Sequence, residues 1–457
     1  MFAIPGLVGL LLFIYLRPQE IYESLSGVTF AMAASAVFLG VAIDWRLSAS
    51  RPRLSPLLAL GGLLFGWALL TAVIRAPDKL TFLVAISSVA VVMFVVISQG
   101  VQSFRALELV AALMLAIALV LSVVGIDQGL SPTVCIIRNG SGEVGLGNVI
   151  TDGRACTSVE DCERDSPDPE LEYFCDHTGP LGTSAIGGRV RYRGIMQDPN
   201  ELAWVLSLAV PIAFTFFERK RSLTRLLLAI ATTVLVTTCV VMTKSRSGQL
   251  TLLAVAGAYL IRRFRWRGVL AGLMVAVPLL AYGGRSGAEA DSSSTERLEC
   301  WQVGIEMWKK APLVGVGYGN FGEYHFLTAH NSFILTLAEI GPLGLVLWTS
   351  VLYVAIKILV RALRDFSEVP GAQVAASWAM ALLAGMIGTV VSAFFLSIAY
   401  HALLWVYLGF VGAYYAAVRR HAPGWRVSFG WRDLLLVSSF DFSVIVAIYL
   451  YIKVKGV

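Results

Sequence analysis

His330 stands in a part of the chain where acid–base chemistry can be done. The chain has five histidines in 457 residues, and this one joins a long polar stretch to an apolar run of membrane-helix length. Histidine exchanges protons near neutral pH, so a histidine here can act as a general base toward a hydroxyl group. A structural role is the alternative, in which His330 begins a helix and is satisfied by Asn331 or a loop carbonyl. His325, in the same loop, is a close rival.

Arginines in four polar segments can bind an anionic group. Arg193 ends the long polar stretch before the sixth apolar run, Arg246 lies in a short turn of serines and glycine, and Arg285 follows the ninth run. Arg297 stands four residues before Trp301, which places both on one face if the segment is helical. A guanidinium group binds phosphate through two charge-assisted hydrogen bonds. Pairing with lipid headgroups or loop carboxylates is the alternative.

Three further polar residues are candidates for supporting roles. Asn200 and Asn331 each stand at the predicted start of a helix, where asparagine commonly acts as the cap. Glu339 lies in an apolar segment just before Gly341-Pro342. A carboxylate within a membrane segment is costly unless it is paired, so we expect Glu339 to have an arginine partner.

The composition is that of a membrane protein. The chain is 57% hydrophobic and 14% charged, with a mean hydropathy of +0.74, whereas a soluble domain carries roughly 25% charged residues. Apolar runs of about 20 residues, the length that crosses a bilayer, recur along the chain. We therefore predict an all-α polytopic fold with about twelve transmembrane helices. These lie near residues 2–16, 26–44, 54–74, 80–98, 106–126, 200–217, 226–242, 248–261, 268–283, 332–356, 374–396 and 400–418.

Basic residues in the loops predict the orientation of these helices. Lys and Arg collect in cytoplasmic loops, and clusters of them follow the second, sixth, eighth, tenth and twelfth spans. Both termini are then cytoplasmic, although the apolar tail segment 434–452 is either a thirteenth span or a surface helix. The predicted organisation is amino-terminal spans (1–126), an outward loop (127–199), central spans (200–283), a second outward loop (284–331), carboxy-terminal spans (332–420) and a tail (421–457).

The first outward loop has the features of an exported, disulfide-bonded insert. It contains four of the six cysteines, Cys135, Cys156, Cys162 and Cys175. An even number of cysteines in an outward loop favours disulfides, with three pairings open. A zinc site is the alternative, but the spacings lack the paired C-x2-C pattern that zinc prefers. We expect no metal site here.

The pattern Gly-x-Gly-x-x-Gly over residues 317–322 resembles a dinucleotide-binding motif, but its context argues against that function. Such a motif needs a strand before it and a helix after it, whereas this one lies in an outward loop between membrane spans. The chain also has no Walker A motif, no nucleotide-sugar domain and no D-x-D metal signature. We therefore expect no cofactor. The pI near 9 reflects the loop charges and indicates no nucleic-acid partner.

The order of these motifs resembles that of the bacterial O-antigen ligase and polymerase superfamily of polytopic glycosyltransferases. The resemblance covers about residues 190–345. It rests on Arg193-Gly194, Asp198-Pro199-Asn200, Ser245-Arg246-Ser247-Gly248, Arg297 with Trp301, the segment 312–321, His330-Asn331-Ser332 and Glu339-Ile340-Gly341. Arg17-Pro18-Gln19-Glu20 also resembles a subgroup of these ligases. The cysteine-bearing loop departs from the usual short connection, which leaves the acceptor open.

The resemblance implies a function and a location. Superfamily members transfer a glycan from undecaprenyl diphosphate to a hydroxyl group at the outer face of the bacterial inner membrane. The acceptor is lipid A–core in ligases, the growing glycan in polymerases and a protein Ser or Thr in a third group. The implied chemistry is inverting and metal-independent, with His330 as base and Arg246, Arg297, Arg193 and Arg285 on the diphosphate. A lipid-linked sugar transporter is the more distant alternative, but its path would need charged groups that the spans lack.

Overall fold

The computed structural model describes residues 2–47, 50–138, 150–164, 171–270, 272, 274 and 288–455. Over these residues the chain is an all-α polytopic membrane protein with one small β-sheet, as predicted. It divides into two compact units. The first comprises Met1–Leu7, Val37–Leu109 and Arg285–Val457, and the second comprises Val8–Ala36 and Val110–Gly284.

The four strands lie together in one part of the chain, between helices Phe104–Leu130 and Pro199–Ser207. In chain order the helices and strands are α1 Ala3–Tyr15, α2 Phe30–Arg46, α3 Pro56–Arg75, α4 Leu80–Gly100, α5 Phe104–Leu130, β1 Thr133–Arg138, β2 Ile150–Ala155, α6 Val159–Arg164, β3 Glu172–Gly179, β4 Thr183–Ser184, α7 Pro199–Ser207, α8 Ala209–Arg219, α9 Leu223–Met242, α10 Arg246–Phe264, α11 Ala288–Lys310, α12 Ser332–Phe366, α13 Gln373–Ala393, α14 Ala402–His421 and α15 Trp431–Lys455.

Nine helical segments among the described residues are long and apolar enough to cross a membrane. They are α3, α4 with the turn before it, α5, α7 with α8, α9, α12, α13, α14 and α15. Three more predicted spans form helices that are shorter or less apolar, namely α1, α2 and α10. The predicted ninth span, 268–283, falls mainly outside the described residues.

The first unit is built around α4 and α14, which pack against each other. Gly409 of α14 lies against Ile97 of α4, where an added Cβ would come within 3.0 Å of the Ile97 side chain. Trp405 packs beside this contact, with its ring centroid 4.5 Å from that of Phe65 and 5.2 Å from that of Phe94. A small residue lets the two helices approach closely, and the aromatic rings then fill the space between them.

Helix α12 is broken one-third of the way along its length. Gly341 has φ 69° and ψ −176°, and Pro342 has no N–H group to continue the helix. The backbone carbonyl groups before the break accept hydrogen bonds from elsewhere in the unit, which satisfies them. The three donors are Val316 N–H to Ala338 O at 2.9 Å, Gly317 N–H to Glu339 O at 2.9 Å and Trp67 Nε1–H to Ile340 O at 2.8 Å.

Contacts within the first unit agree with the predicted sidedness of its loops. Lys79, in the outward turn between α3 and α4, pairs with Glu323 of the second outward loop. On the other side, Trp425 Nε1 donates to Asp365 at 2.8 Å, and both residues lie in segments predicted to be cytoplasmic.

The tail helix α15 joins these two sides. Its first turn is bound to the predicted cytoplasmic part of α12, where Lys357 Nζ lies 2.7 Å from Asp433. Its last turns lie beside α11 in the second outward loop, with the rings of Trp301 and Tyr451 6.5 Å apart. These contacts, with the length and apolar composition of α15, are consistent with the thirteenth span that the sequence left open.

The second unit contains the helices α7 to α10 and the disulfide-bonded insert. The insert forms an antiparallel sheet with the strand order β2-β1-β3-β4. Its four cysteines pair as Cys135–Cys162 and Cys156–Cys175. Cys135, Cys156 and Cys162 are buried with Tyr173 in a small apolar cluster of their own.

Candidate functional site

His330 is the last residue before the cap of α12, and its backbone has the left-handed conformation (φ 46°). This conformation costs a residue with a side chain of order 1–3 kcal/mol, so the surrounding structure must impose it. Its side chain is half-buried, between the buried residues Ala329 and Asn331. The backbone that carries the imidazole is therefore held in one conformation, and the side chain keeps part of its surface exposed.

Asn331 and Ser332 fix the helix start that carries His330. Asn331 Oδ1 accepts the N–H groups two and three residues ahead at 2.9 and 3.1 Å, which is the predicted cap. Its Nδ2 donates to the Phe394 carbonyl at 3.2 Å, and Ser332 Oγ donates to the Leu396 carbonyl at 2.6 Å. Both side chains are completely buried. The start of α12 is thus anchored to the segment that follows α13, and this anchor explains why the imposed conformation can persist.

Glu339 is only 3% exposed, and its carboxylate accepts the backbone N–H of Phe321 at 3.0 Å. Within the described part of the chain it pairs with no arginine, so the expected arginine partner is not found there, and Arg285 lies outside the described residues. The reason is the break in α12, which draws the glycine-rich loop against Glu339. Backbone N–H groups then do the work that a cation was expected to do.

Two tyrosines that the sequence analysis did not single out lie near Glu339. The rings of Tyr318 and Tyr400 meet edge to face with their centroids 4.5 Å apart, and Ser87 Oγ donates to the Tyr318 hydroxyl at 3.0 Å. Burial raises the pKa of Tyr318 to about 12 and that of Tyr400 well above its usual value. Both phenols therefore stay protonated at neutral pH.

His325, the rival histidine, has a structural environment. Its Nδ1 accepts the backbone N–H of Leu327 at 3.0 Å and lies 3.6 Å from Cys300 Sγ. Its ring stacks on Phe326. Burial raises the pKa of Cys300 to about 11, so this thiol is neutral. These contacts hold His325 within its loop.

Arg246 lies at the first position of α10, in a turn whose serines point toward Asn200. Ser245 caps the helix by accepting from Gly248 N–H at 3.0 Å, and its Oγ donates to Asn200 Oδ1 at 2.6 Å. Ser247 Oγ lies 3.5 Å from the same oxygen. The Arg246 side chain is exposed, and the helix N-terminus adds positive potential beside it.

Asn200 connects this turn to the preceding motif but does not cap α7. The cap is Asp198, whose carboxylate accepts from the Asn200 N–H at 2.8 Å. Asn200 Nδ2 donates to the same carboxylate at 2.7 Å, and its Oδ1 also accepts from Arg189 Nη2 at 3.2 Å. The predicted helix cap is therefore wrong for Asn200. Pro199 is the first residue of the helix, a position that proline favours, so the helix begins two residues earlier than a helix capped by Asn200 would. The Asn200 side chain can then connect Asp198 to Ser245.

Arg193 lies against the segment that follows α1. Its Nη1 donates to the Glu20 carbonyl at 3.1 Å, and burial lowers its pKa from the usual value. Arg17 lies in the same cluster, with Nη2 2.5 Å from a Glu20 carboxylate oxygen. Gly194 makes this packing possible, because a Cβ there would overlap the Arg17 guanidinium.

Arg17 is a residue of this site to which the sequence analysis gave no role. Its backbone is left-handed (φ 51°), and its Nε is buried without a hydrogen-bond partner among the described residues. The available signal was the resemblance of Arg17-Pro18-Gln19-Glu20 to a ligase subgroup. Nothing in the sequence showed that residue 17 meets residue 194.

The remaining arginines have different outcomes. Arg297 lies on α11 together with Trp301, as the helical spacing predicted, and its side chain is half-buried. Arg285 lies outside the described residues.

Comparison with known proteins bears on the same segments. Residues 231–349 match the family model described as O-antigen ligase. We call these residues the O-antigen ligase domain, after the family model that they match. A segment of 85 residues is 39% identical to "Exopolysaccharide production protein ExoQ" of Rhizobium meliloti (strain 1021). That alignment covers 14% of this chain and 19% of the relative, so the chain matches well under two-thirds of that protein's length. Both matches show that parts of this chain are similar to proteins of the O-antigen ligase and polymerase superfamily.

The O-antigen ligase domain contains candidate residues from both units. Arg246 belongs to the second unit, and Arg297, His330 and Glu339 belong to the first. Arg193 and Asn200 precede the domain in sequence, but Asn200 is bonded directly to its Ser245. The motif before the domain is therefore part of the same local structure as the Arg246 turn.

The disulfide-bonded insert also precedes the O-antigen ligase domain, and a buried carboxylate connects it to the arginine segment. Asp176, on β3, accepts the N–H groups of Gly187 and Gly188 at 2.7 and 3.1 Å. The next residue is Arg189, which reaches Asn200. The sheet thus holds the beginning of the segment that carries Arg193.

Proposed function

We propose that this protein is a glycosyltransferase of the bacterial inner membrane that moves a glycan from undecaprenyl diphosphate to an acceptor hydroxyl on the periplasmic side. The observation that carries the proposal is the O-antigen ligase domain, which includes both Arg246 and His330. The held conformation of His330 supports it, because a strained backbone at a half-exposed histidine is typical of functional sites.

In the proposed reaction the acceptor hydroxyl oxygen attacks C1 of the donor sugar. His330 takes the hydroxyl proton as the new C1–O bond forms, and the bond from C1 to the diphosphate oxygen breaks with its electron pair. The diphosphate leaves as an anion, so cations that are already in position lower the barrier. Arg246, Arg297 and Arg193 supply this charge, and in-line attack inverts the configuration at C1. Positioning contributes as well, since two large substrates must meet at one point.

The test is the His330→Ala variant with His325→Ala as its matched control. His330→Ala should abolish glycan transfer while the protein accumulates normally in the membrane, because the hydroxyl loses its base. His325→Ala should keep most of the transfer activity. The measurement is transfer of lipid-linked glycan to acceptor in membrane vesicles that contain equal amounts of each variant. Near-normal transfer by His330→Ala would remove this residue from the mechanism.

A polymerase of the same superfamily is the second candidate, and the relative named for exopolysaccharide production favours it. Deletion of the gene followed by gel analysis of surface glycan separates the two functions. Loss of long chains from lipid A–core, with lipid-linked polymer retained, indicates a ligase. A single repeat unit on the core indicates a polymerase.

A further inference from the structure

A cleft of about 450 Å³ opens in the first unit between the α3–α4 turn and the loop that follows α11. Its floor includes the buried residues Ala311, Val316 and Asn320. Its volume falls within the range of small-molecule sites, about 300–1,000 Å³. None of the residues that line it belongs to the catalytic set described above.

Cations and one aromatic ring stand on the rim of the cleft. Lys79 is neutralised by its pair with Glu323, and it also donates to Asn320 Oδ1 at 3.3 Å. Lys310 Nζ lies 5.6 Å from the centroid of the Tyr324 ring, which is 45% exposed. Arg75 is exposed, and its guanidinium has no protein partner within the described residues. Arg75 and Lys310 therefore remain as cations that a ligand can reach.

The glycine pattern at 317–322 builds this cleft. Gly317 has φ 104°, and a Cβ there would lie 2.6 Å from the Arg75 Cβ. Gly319 has φ 76° and packs so closely on Leu83 that a Cβ would overlap that side chain. Only glycine allows both the backbone conformation and the close approach. The pattern that resembles a nucleotide motif thus sets the loop against the α3–α4 turn, where its Asn320 lines the cleft.

We propose that this cleft binds an anionic sugar residue of the glycan substrate, an inference that rests on the proposed function. The exposed face of Tyr324 can pack against the apolar C–H face of a sugar ring. Arg75 and Lys310 can bind a carboxylate on that ring, with the guanidinium supplying two parallel hydrogen bonds. Asp78 and Glu323 on the rim can accept hydrogen bonds from sugar hydroxyl groups.

The charge balance of the rim favours a singly charged sugar over a diphosphate in this cleft. With Lys79 and Glu323 paired, two cations, Arg75 and Lys310, and one carboxylate, Asp78, remain on the rim. This balance matches one negative charge better than several. The cleft is also larger than a diphosphate requires and has an aromatic wall that a phosphate does not use.

The experiment measures binding to the full chain in detergent micelles by isothermal titration. The probes are a glucuronic acid trisaccharide, the neutral glucose trisaccharide and inorganic pyrophosphate. Wild-type protein should bind the acidic trisaccharide about tenfold more tightly than the neutral one. The double variant Arg75→Gln, Lys310→Gln should lose this preference but keep its affinity for the neutral probe. Lys309→Gln, one residue along the same helix, is the matched control and should keep the preference, because Lys309 lies over the Tyr449 ring instead.

The possible outcomes separate this inference from the proposed function. Equal binding of the two trisaccharides by wild-type protein, or an unchanged preference in the double variant, overturns the inference. So does tighter binding of pyrophosphate that the double variant abolishes, since the cleft would then be a phosphate site. His330→Ala should bind the acidic probe normally while it fails to transfer glycan, so failure of the transfer mechanism would not be mistaken for failure of the cleft.

Discussion

Arg246 extends from the first turn of α10, while the serines on either side of it reach Asn200. The same Asn200 oxygen accepts from Arg189, so one amide group fixes the turn from two directions. His330 is held in a similar way, because Asn331 and Ser332 engage carbonyl groups beyond α13. At both places the neighbouring side chains make buried hydrogen bonds, whereas Arg246 is exposed and His330 is half-buried.

Arg246→Lys tests whether the geometry of the guanidinium matters. Lysine keeps the charge but loses the planar pair of donors, so glycan transfer should fall by at least about tenfold. Arg262→Lys, at the other end of the same helix, should transfer normally. The measurement is the initial transfer rate in vesicles at matched protein levels. If lysine is tolerated and alanine is not, bulk charge suffices and a bidentate clamp on the diphosphate is wrong.

Gly194→Ala tests the packing of Arg17 on the Arg193 segment. A Cβ at residue 194 would overlap the Arg17 guanidinium, and φ 59° adds a cost of about 1 kcal/mol for a residue other than glycine. Transfer should therefore drop strongly. The double variant Arg17→Ala, Gly194→Ala removes the overlap, so its loss should be smaller than the sum of the two single losses. Additive losses would show that the two residues do not interact during transfer.

Helix α12 is interrupted close to a candidate residue, Glu339. Helix α12 begins at a buried cap and breaks at Gly341-Pro342, and the carbonyl groups freed by the break bind the glycine-rich loop. One helix thus positions His330 at its start and Glu339 at its break. The cost of the break is offset by the hydrogen bonds that the loop and Trp67 donate to it.

Asn331→Ala should destabilise the start of α12 and disturb His330 with it. Loss of the cap costs about 1 kcal/mol, and the buried N–H groups would lose their acceptor. Asn331→Ser is the matched control, since its hydroxyl oxygen can still accept from those N–H groups without burying a charge. We expect a lower thermal midpoint in detergent for the alanine variant and a smaller decrease for the serine variant. An unchanged midpoint for alanine would show that the cap contributes little.

At the scale of the whole molecule, the contacts of the tail helix α15 bear on the predicted orientation of the chain in the membrane. The tail helix begins beside Lys357 and ends beside α11. Loop charges place Lys357 in the cytoplasm and α11 outside, so the two assignments agree only if the tail helix crosses the membrane.

Reporter fusions test this crossing. Alkaline phosphatase is active only after export, so a fusion after residue 457 should be active and one after residue 426, before α15, should be inactive. A fusion after residue 327, in the second outward loop, is the positive control. Activity at 426 together with inactivity at 457 would show that the orientation is the reverse of the predicted one. Inactivity at both positions would show that α15 is a helix on the cytoplasmic surface.

The sequence alone determined the class of the protein and most of the candidate residues. Apolar runs of bilayer length, loop charges and paired cysteines are local properties, and so are the residue types at 246, 297 and 330. Only the tertiary structure showed which distant parts of the chain are in contact. It gave Glu339 a backbone donor, made Asp198 rather than Asn200 the cap of α7, brought Arg17 to Gly194 and packed a glycine-rich loop beside a cleft. The physical reason is that these outcomes depend on which elements pack together and where a helix breaks. Hydropathy and spacing do not encode such contacts residue by residue.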